Sequence, residues 1–370
     1  MLKFSCEKAL LQNAIATASR AVASKSSIPA LEGLLLEGEQ QLTMSGYNTQ
    51  TGIRTSFEAD VRQGGRIVLN ARLFGDIIRK MPDDVIVFSA DERYMVHLTC
   101  GDASFDILGL SAADYPELPE VDDQCSVTIQ QRTLKAMIGE TAFAVSTNES
   151  RPVHTGSLFE IDGTGLTMVS VDGFRLALRH EPLESIEGGA FRFVAPGSAL
   201  KEVESICGEV EDTVEITMGK RHLLFSIGAT ELICRRLEGE FLDYKNAIPR
   251  NNPITLEVEN RELLHSLERV SVVISEKLKS PVRCVFDEDR VFLSAHTGNG
   301  EAKDICPIKG DGRGLEIGFN NRYMMDALRY APAERVCLAL NTGISPCVIT
   351  PVDGDDSFTY MVLPVRLKAQ

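Results

Sequence analysis

Amphipathic helices and short alternating strands recur along the chain at a nearly constant interval. Apolar residues with helical spacing begin at six positions, Ser5, Asn70, Gln130, Pro196, Asn260 and Asn321. The predicted helix starts are therefore 60 to 66 residues apart. A short apolar strand comes before each helix, and two or three alternating runs come after it. The pattern predicts one unit of strand, helix and β-meander that is used six times.

Longer-range similarity pairs these units into three domains. The apolar strands at 34–36 and 42–45 resemble those at 158–160 and 166–169, and again those at 285–286 and 291–294. Proline-containing stretches at 114–119 and 243–249 close the first and second copies and are natural linkers. The sequence therefore predicts an α+β fold of three similar domains, 1–122, 123–250 and 251–370, in which helices pack on antiparallel sheets.

One turn in the middle of the chain joins two of the alternating runs. Asp172 and Gly173 form a tight reversal, and Arg175 and Leu176 begin a new strand beside the previous one. Glycine at this point supplies a backbone angle that other residues resist. Asp-Gly turns occur in most β-rich proteins, so this turn alone does not indicate a binding site.

Composition is that of an ordinary globular protein. Of 370 residues, 44% are hydrophobic and 25% are charged, and no apolar run approaches membrane-spanning length. The first residues carry no signal-peptide core, so we expect a cytoplasmic protein without membrane contact. Nine cysteines without a C-x-x-C pair are typical of reduced core residues and not of a disulfide or zinc framework.

Charge is unevenly distributed along the chain. The net charge is −15, but the six predicted helical segments contain 12 Lys and Arg residues against 8 Asp and Glu. A basic helical surface on an acidic protein would attract a polyanion locally and repel it elsewhere. Solvated helix faces also favour Lys and Arg, so the counts alone leave both interpretations open.

The usual signatures of catalysis and metal binding are missing from the sequence. The six histidines never form the zinc-hydrolase pattern, and no Gly-x-Ser-x-Gly motif occurs. The glycine-rich stretch 310–314 precedes a predicted strand and does not open a helix, which argues against a phosphate site. The acidic stretch 353–356 lacks the spacing of a calcium loop. We expect no catalytic residue, no metal and no cofactor.

Three segments carry a similarity that extends over the whole chain, 171–177, 239–244 and 361–367. Together they resemble the bacterial DNA sliding clamps, the β subunits of DNA polymerase III. The resemblance implies clamp domains with two helices on the inner face and sheets outside, arranged in a ring-forming homodimer. It also implies a non-catalytic processivity factor that binds duplex DNA without sequence preference. The implied protein partners are the replicative DNA polymerase alpha subunit, the clamp loader, and translesion polymerases and repair proteins that carry short linear motifs.

The resemblance further implies a partner-peptide groove, which we define by the turn 171–176, the loop at Leu242 and the carboxyl-terminal segment 361–367. A peptide with a glutamine and bulky apolar residues would bind there. The matching positions are His154, Val171, Gly173, Phe174, Arg175, Leu176, Leu242, Asn246, Ala247, Leu278, Pro346, Met361, Val362, Leu363, Pro364, Val365, Arg366 and Leu367. At His154, Val171, Leu242 and Asn246 familiar relatives have Leu, Thr, Pro and Arg, so peptide preference is open. Segment 361–367 is alternatively a closing core strand.

The resemblance assigns two further surfaces. The candidates for facing DNA are Lys8, Arg20, Lys25, Arg72, Arg79, Lys80, Lys135, Lys201, Arg261, Arg269, Arg322 and Arg329. The implied head-to-tail dimer contact joins Phe105 and Ile107 on a strand to Val272 and Val273 on the helix that begins at Asn260. A repeated-domain scaffold for proteins, without any DNA function, is the alternative class.

Overall fold

The computed structural model describes residues 1–122, 124–183, 189–275, 280–352 and 354–367. These residues form two compact units. The first contains Met1–Lys135 and Lys201–Arg236, and the second contains the described residues of Ala136–Leu200 and Leu237–Gln370. Each unit is considered by itself below.

The described residues contain 25 strands and seven α-helices. The strands are β1 (Leu2–Glu7), β2 (Gly33–Gly38), β3 (Leu42–Tyr47), β4 (Thr51–Phe57), β5 (Asp60–Gln63), β6 (Gly65–Asn70), β7 (Val85–Ala90), β8 (Met95–Cys100), β9 (Ala103–Leu108), β10 (Cys125–Gln130), β11 (Gly156–Asp162), β12 (Gly165–Val171), β13 (Arg175–Glu181), β14 (Phe191–Pro196), β15 (Thr213–Met218), β16 (His222–Ile227), β17 (Thr230–Arg235), β18 (Ile254–Glu259), β19 (Val282–Phe286), β20 (Arg290–Thr297), β21 (Gly300–Pro307), β22 (Glu316–Phe319), β23 (Arg335–Leu340), β24 (Cys347–Pro351) and β25 (Phe358–Val362). The helices are α1 (Lys8–Ala18), α2 (Ala71–Lys80), α3 (Gln131–Thr141), α4 (Gly197–Ile206), α5 (Tyr244–Ala247), α6 (Asn260–Ser271) and α7 (Asn321–Tyr330).

The element order confirms the predicted repeat. Each of the helices α1, α2, α3, α4, α6 and α7 follows one strand directly and is followed by three strands. Asparagine caps explain two of the sharp helix starts. The Oδ1 atom of Asn70 accepts a hydrogen bond from the backbone N of Leu73 at 2.9 Å, and Asn320 does the same for Arg322 at 3.0 Å. The α+β class is therefore confirmed, with β5 as an extra strand and α5 as an extra short helix.

The predicted start of the first helix at Ser5 is wrong. Strand β1 continues to Glu7, and α1 begins only at Lys8. Leu2, Phe4 and Cys6 are all buried, so the period-two alternation of a strand extends through the residues assigned to the helix. The other five predicted starts agree with the structure to within one residue.

The first unit contains two antiparallel sheets. Their strand orders are β5-β1-β7-β8-β9 and β10-β15-β16-β17-β4-β3-β2-β6. The larger sheet crosses the predicted boundary at 122, because β17 pairs with β4 in a register that places Thr230 opposite Thr55. Helices α1 and α2 cover a core formed with strands of both sheets, in which Leu11 and Phe74 are fully buried.

The second unit repeats this arrangement. Its sheets have the orders β14-β11-β12-β13-β25-β24-β23-β18 and β21-β20-β19-β22. Strand β13 pairs with β25, so the eight-stranded sheet crosses the predicted boundary at 250. Helices α6 and α7 pack on a core that contains Leu267, Leu328 and Phe319. The division at 122 and 250 stays a prediction, since the sheets do not stop at those residues.

Tyr360 ties two helix ends together within the second unit. Its hydroxyl group lies 2.8 Å from the carbonyl oxygen of Glu140 in α3 and 3.0 Å from that of Tyr330 at the end of α7. The carbonyls of a last helical turn have no partner inside the helix, and the single phenol proton can donate to either of these two at a time. Tyr360 is fully buried, and it therefore anchors β25 beneath both helices.

Candidate functional site

The turn between β12 and β13 is held by one carboxylate. The Oδ1 atom of Asp172 accepts hydrogen bonds from the backbone N of Phe174 at 2.9 Å and of Arg175 at 3.0 Å. Gly173 between them has φ of +90°, as the sequence predicted from its position in the turn. These hydrogen bonds fix the backbone of the turn. The side chain of Phe174 takes no part in them and is exposed.

Phe174 is the most exposed aromatic side chain at this end of the eight-stranded sheet. It is 59% exposed, and its ring stacks on that of Tyr323 in α7 with centroids 6.1 Å apart. The carbonyl oxygen of Phe174 accepts a hydrogen bond from the backbone N of Leu363 at 2.9 Å. The turn, helix α7 and the carboxyl-terminal segment therefore meet at Phe174.

An apolar floor lies next to this turn. Four predicted groove residues, Val171, Leu176, Met361 and Leu363, belong to one cluster of buried and partly buried side chains. Met361 lies opposite Leu176 in the β13–β25 register, which explains why these two distant segments meet. The cluster also contains Phe241, so the floor continues to the segment that carries Leu242, which is itself exposed.

His154 lies at the margin of this floor. It is buried in a short 3-10 turn, Pro152–Thr155, and its ring makes an edge-to-face contact with Phe241 at 5.5 Å. Burial, with a smaller contribution from the positive charge of Arg151, lowers the pKa of His154 below its usual value. The imidazole is therefore neutral at neutral pH, which suits an apolar surface.

The carboxyl-terminal segment is part strand and part extension. Met361 and Val362 are buried in β25, so for these two residues the closing-strand interpretation is correct. Beyond them the chain leaves that sheet. Pro364 bridges to Phe319, and the backbone N of Val365 donates to the carbonyl oxygen of Gly318 at 2.8 Å, so the segment continues along β22.

The remaining predicted groove residues are placed less centrally. Asn246 and Ala247 lie in α5, and the Asn246 amide donates to Asp243 at 2.6 Å. Pro346 is partly exposed before β24, Arg366 is exposed, and the side chain of Leu367 lies close to Gly318. Leu278 lies outside the described residues.

Six of the predicted DNA-facing cations are engaged in ion pairs within the chain. They are Lys8 with Asp83, Arg20 with Glu202, Arg79 with Asp76, Lys135 with Glu209, Arg269 with Asp304, and Arg329 with Glu268. Lys8 is the least suited to bind phosphate, because its side chain is only 11% exposed and also donates to the carbonyl oxygen of Met81.

The other six predicted cations are exposed, and they make no ion pair with any residue that the structure describes. They are Lys25, Arg72, Lys80, Lys201, Arg261 and Arg322. Arg72 and Lys80 are on α2, Lys201 on α4, Arg261 on α6 and Arg322 on α7, so the available charge is spread over four helices. Such a distribution suits contacts to a phosphate backbone and not the reading of bases.

Two features of the described residues bear on metal binding and on thiol chemistry. No cluster of three or more His, Cys, Asp or Glu suited to a metal ion occurs among the described residues. Burial raises the pKa of Cys6 and Cys284 to about 12, so these thiols are not nucleophiles at neutral pH. Within the described ranges, no helix is both long and apolar enough to cross a membrane.

Family profiles match nearly the whole chain. The profiles described as DNA polymerase III beta subunit match at residues 2–119 for the N-terminal domain, 128–243 for the central domain and 245–366 for the C-terminal domain. A relative from Synechocystis sp. named beta sliding clamp is 33% identical over 99% of this chain and 100% of its own length. The chain belongs to the family of DNA polymerase III beta subunits, the bacterial sliding clamps.

Solved structures of sliding clamps share the fold. A putative DNA polymerase III beta subunit from Eubacterium rectale has a TM-score of 0.94 and 29% identity, covering 99% of both chains. The DNA polymerase sliding clamp from Bacillus subtilis has a TM-score of 0.94 and 26% identity, covering 99% of this chain and 100% of its own. The family and fold inferred from the sequence are confirmed. As a beta sliding clamp, the chain is a non-catalytic processivity factor of DNA polymerase III.

The predicted dimer residues lie at two sheet edges of this clamp. One pair is on an edge strand, and the other pair is near a second edge strand. Phe105 and Ile107 are on β9, the last strand of the five-stranded sheet, as predicted. Val272 and Val273 are not on α6, because that helix ends at Ser271 and both residues follow it. Val272 is 83% exposed, and the carbonyl oxygen of Val273 accepts a hydrogen bond from Thr297 of β20. The neighbouring edge strand is β21.

Sequence reasoning missed several residues of the clamp's candidate groove. Tyr323 stacks on Phe174, and Asp326 bonds to Arg175, but both lie about 150 positions away in α7. No local pattern indicates such contacts. Phe241 carried a usable signal, since it is one of two aromatic residues, with Tyr244, in the segment 239–244 that already resembled the family.

Proposed function

We propose that this sliding clamp works as a homodimer that closes around duplex DNA and tethers its partners through the partner-peptide groove. The observation that carries the groove proposal is Phe174, an exposed aromatic side chain that stacks on Tyr323 beside a buried apolar floor. A concave apolar surface with a few large anchors is what a short linear motif needs.

The proposed occupants of the groove are peptides with a glutamine and bulky apolar residues. By resemblance to the family, they belong to the replicative DNA polymerase alpha subunit, the clamp loader, translesion polymerases and repair proteins. One groove for all of them implies competition, so occupancy by one partner excludes the others. The neutral, buried His154 supports a preference for uncharged peptide residues at that margin of the floor.

The proposed dimer contact is supported by two open sheet edges. Strand β9 ends one sheet and β21 ends another, and each has unpaired backbone groups along its outer side among the described residues. A head-to-tail contact that pairs β9 of one copy with β21 of another would satisfy both edges at once. Phe105, Ile107 and the exposed Val272 would supply apolar contact next to that pairing.

The proposed DNA contact is electrostatic and weak at each point. The exposed cations on α2, α4, α6 and α7 support it, together with Lys25 in the loop after α1. Phosphate contacts carry no base information, so the clamp would slide with no preferred position.

Replication of bacterial DNA takes place in the cytoplasm, and we assign the clamp to that compartment. We also place its domain boundaries near residues 122 and 250.

A loading experiment tests encirclement against the rival role of a protein scaffold. The clamp is loaded on a nicked circular duplex by its clamp loader and washed with high salt, which screens phosphate contacts. We expect retention on the circle and loss after a restriction enzyme linearises it. Equal loss from circular and linear DNA at the same salt would refute encirclement. A scaffold without DNA function predicts no retention on either substrate.

A further inference from the structure

The guanidinium group of Arg175 joins the β12–β13 turn to helix α7. Its Nε donates to Asp172 Oδ2 at 2.9 Å, and its Nη1 donates to Asp326 Oδ2 at 2.6 Å. The side chains of Arg175, Asp172 and Asp326 are only 10%, 12% and 16% exposed. Arg175 thus bonds two nearly buried carboxylates on two different elements, and the guanidinium of Arg329 also lies 3.6 Å from Asp326 Oδ1.

Two aromatic rings contact the same guanidinium. Its central carbon is 4.5 Å from the ring centre of Tyr323 and 5.4 Å from that of Phe143. A planar, weakly hydrated guanidinium can stack on rings while its edge bonds carboxylates, whereas a lysine ammonium cannot do both. The surroundings of residue 175 are therefore specific for arginine and not merely for a positive charge.

This buried cluster supports the exposed part of the groove. Phe174 stacks on Tyr323, the same ring that Arg175 contacts from within the unit. Asp172 holds the backbone of Phe174 with one oxygen and the guanidinium of Arg175 with the other. Loss of Arg175 would leave Asp172 nearly buried without the cation that pairs with it and Asp326 with only the more distant Arg329 at 3.6 Å, which is unfavourable. The turn and α7 would then separate or take up water.

We propose that Arg175 is a positioning residue of the partner-peptide groove, which fixes Phe174 against Tyr323 and does not itself bind the peptide. The guanidinium of Arg175 is already hydrogen-bonded to Asp172 and Asp326, and its side chain has little exposed surface with which to contact a peptide. The inference rests on the proposed function of the groove. It differs from the expectation, drawn from the family resemblance, that residue 175 lines the groove as a contact.

Arg313 provides a matched control. It also bonds two carboxylates, Glu288 at 2.7 Å and Asp311 at 2.7 Å, but its side chain is 59% exposed in the loop before β22. We would measure the binding of a fluorescent peptide with one glutamine and several large apolar residues to the full-length clamp. Arg175→Met should weaken binding at least about ten-fold in protein that circular dichroism shows to be folded. Arg313→Met should stay within about two-fold of the unchanged clamp.

A spectroscopic readout separates positioning from general stability. The chain contains no tryptophan, so Phe174→Trp introduces a single reporter at the turn. Adding Arg175→Met to this variant should shift the emission to longer wavelength and speed the decay of its anisotropy, because the ring loses its place on Tyr323. Arg175→Lys should recover only part of the peptide affinity, since it restores the charge and not the planar stack.

The outcomes are distinguishable. Unchanged peptide affinity and unchanged emission in folded Arg175→Met protein would overturn the inference, as would full rescue by lysine. If Arg175→Met does not fold, Asp326→Asn takes its place, because it removes one partner and keeps the shape. That variant should weaken peptide binding several-fold, and an unchanged affinity would overturn the inference. Failure of the unaltered clamp to bind any such peptide would refute the proposed groove, while the tryptophan reporter would still test the positioning of Phe174.

Discussion

Replacing Phe174 with alanine tests the groove most directly. The side chain is 59% exposed in the free clamp, which corresponds to about 120 Å² of a ring residue that offers about 200 Å² in all. Covering that area with apolar peptide atoms is worth about 3 kcal/mol at about 25 cal/mol per Å², and about half of that if one face is covered. Phe174→Ala should therefore weaken peptide binding by about 10-fold to 100-fold.

The assay is fluorescence anisotropy of the labelled peptide with increasing clamp, in parallel with thermal unfolding. Val210→Ala is a suitable control, because Val210 is an exposed apolar residue outside the groove. The melting temperature should change little, since the exposed part of Phe174 contributes little to the folded clamp alone. A change in peptide affinity below about two-fold, with the control equally small, would show that Phe174 is not an anchor.

Three further predictions follow from the same structure. Deletion of residues 363–370, which leaves β25 complete, should abolish peptide binding and keep the dimer, and full peptide affinity in the truncated clamp would contradict the groove. Glutamate at both Phe105 and Ile107 should give folded monomers, and a dimer that persists at micromolar concentration in sedimentation would contradict the interface. Burial lowers the pKa of His154, so the unfolded chain binds its proton more readily. The free energy of unfolding should therefore fall as pH decreases below about 6.5, less steeply in His154→Leu, and identical slopes in urea titrations would count against this assignment.

The repeat could be predicted from the sequence because strands and helices bury residues at different periods. The step from period two to period 3.6 recurs six times, and five of the helix starts were placed to within one residue. The first start was misplaced because residues 5 to 7 satisfy both patterns, and it is their pairing with β7 and the burial of Cys6 that assign them to the strand. Local pattern therefore specifies an element better than it specifies the boundary.

The site was predicted where the chain itself brings residues together. Asp172, Gly173 and Phe174 are neighbours in one turn, and their conformation follows from local hydrogen bonds. The partner of Arg175 in α7 was not predictable, because Asp326 lies 151 positions away in the sequence. The same limit affected Lys8. It is a cation on a helix, as expected of a DNA-facing residue, but it is paired with Asp83, which is distant in the sequence. Whether a charge is available depends on tertiary neighbours that no helical pattern displays.

The continuous sheets make flexing at two predicted domain boundaries costly. Where β17 meets β4, a backbone ladder runs across the boundary, and the hydroxyls of Thr55 and Thr230 lie 2.9 Å apart within it. Bending there would break the hydrogen bonds of the ladder one after another. The pairing of β13 with β25 resists bending in the same way in the second unit. In the proposed head-to-tail dimer, a loader that admits a DNA strand would meet less resistance at the contact between the two copies, because opening that contact breaks no ladder inside either chain.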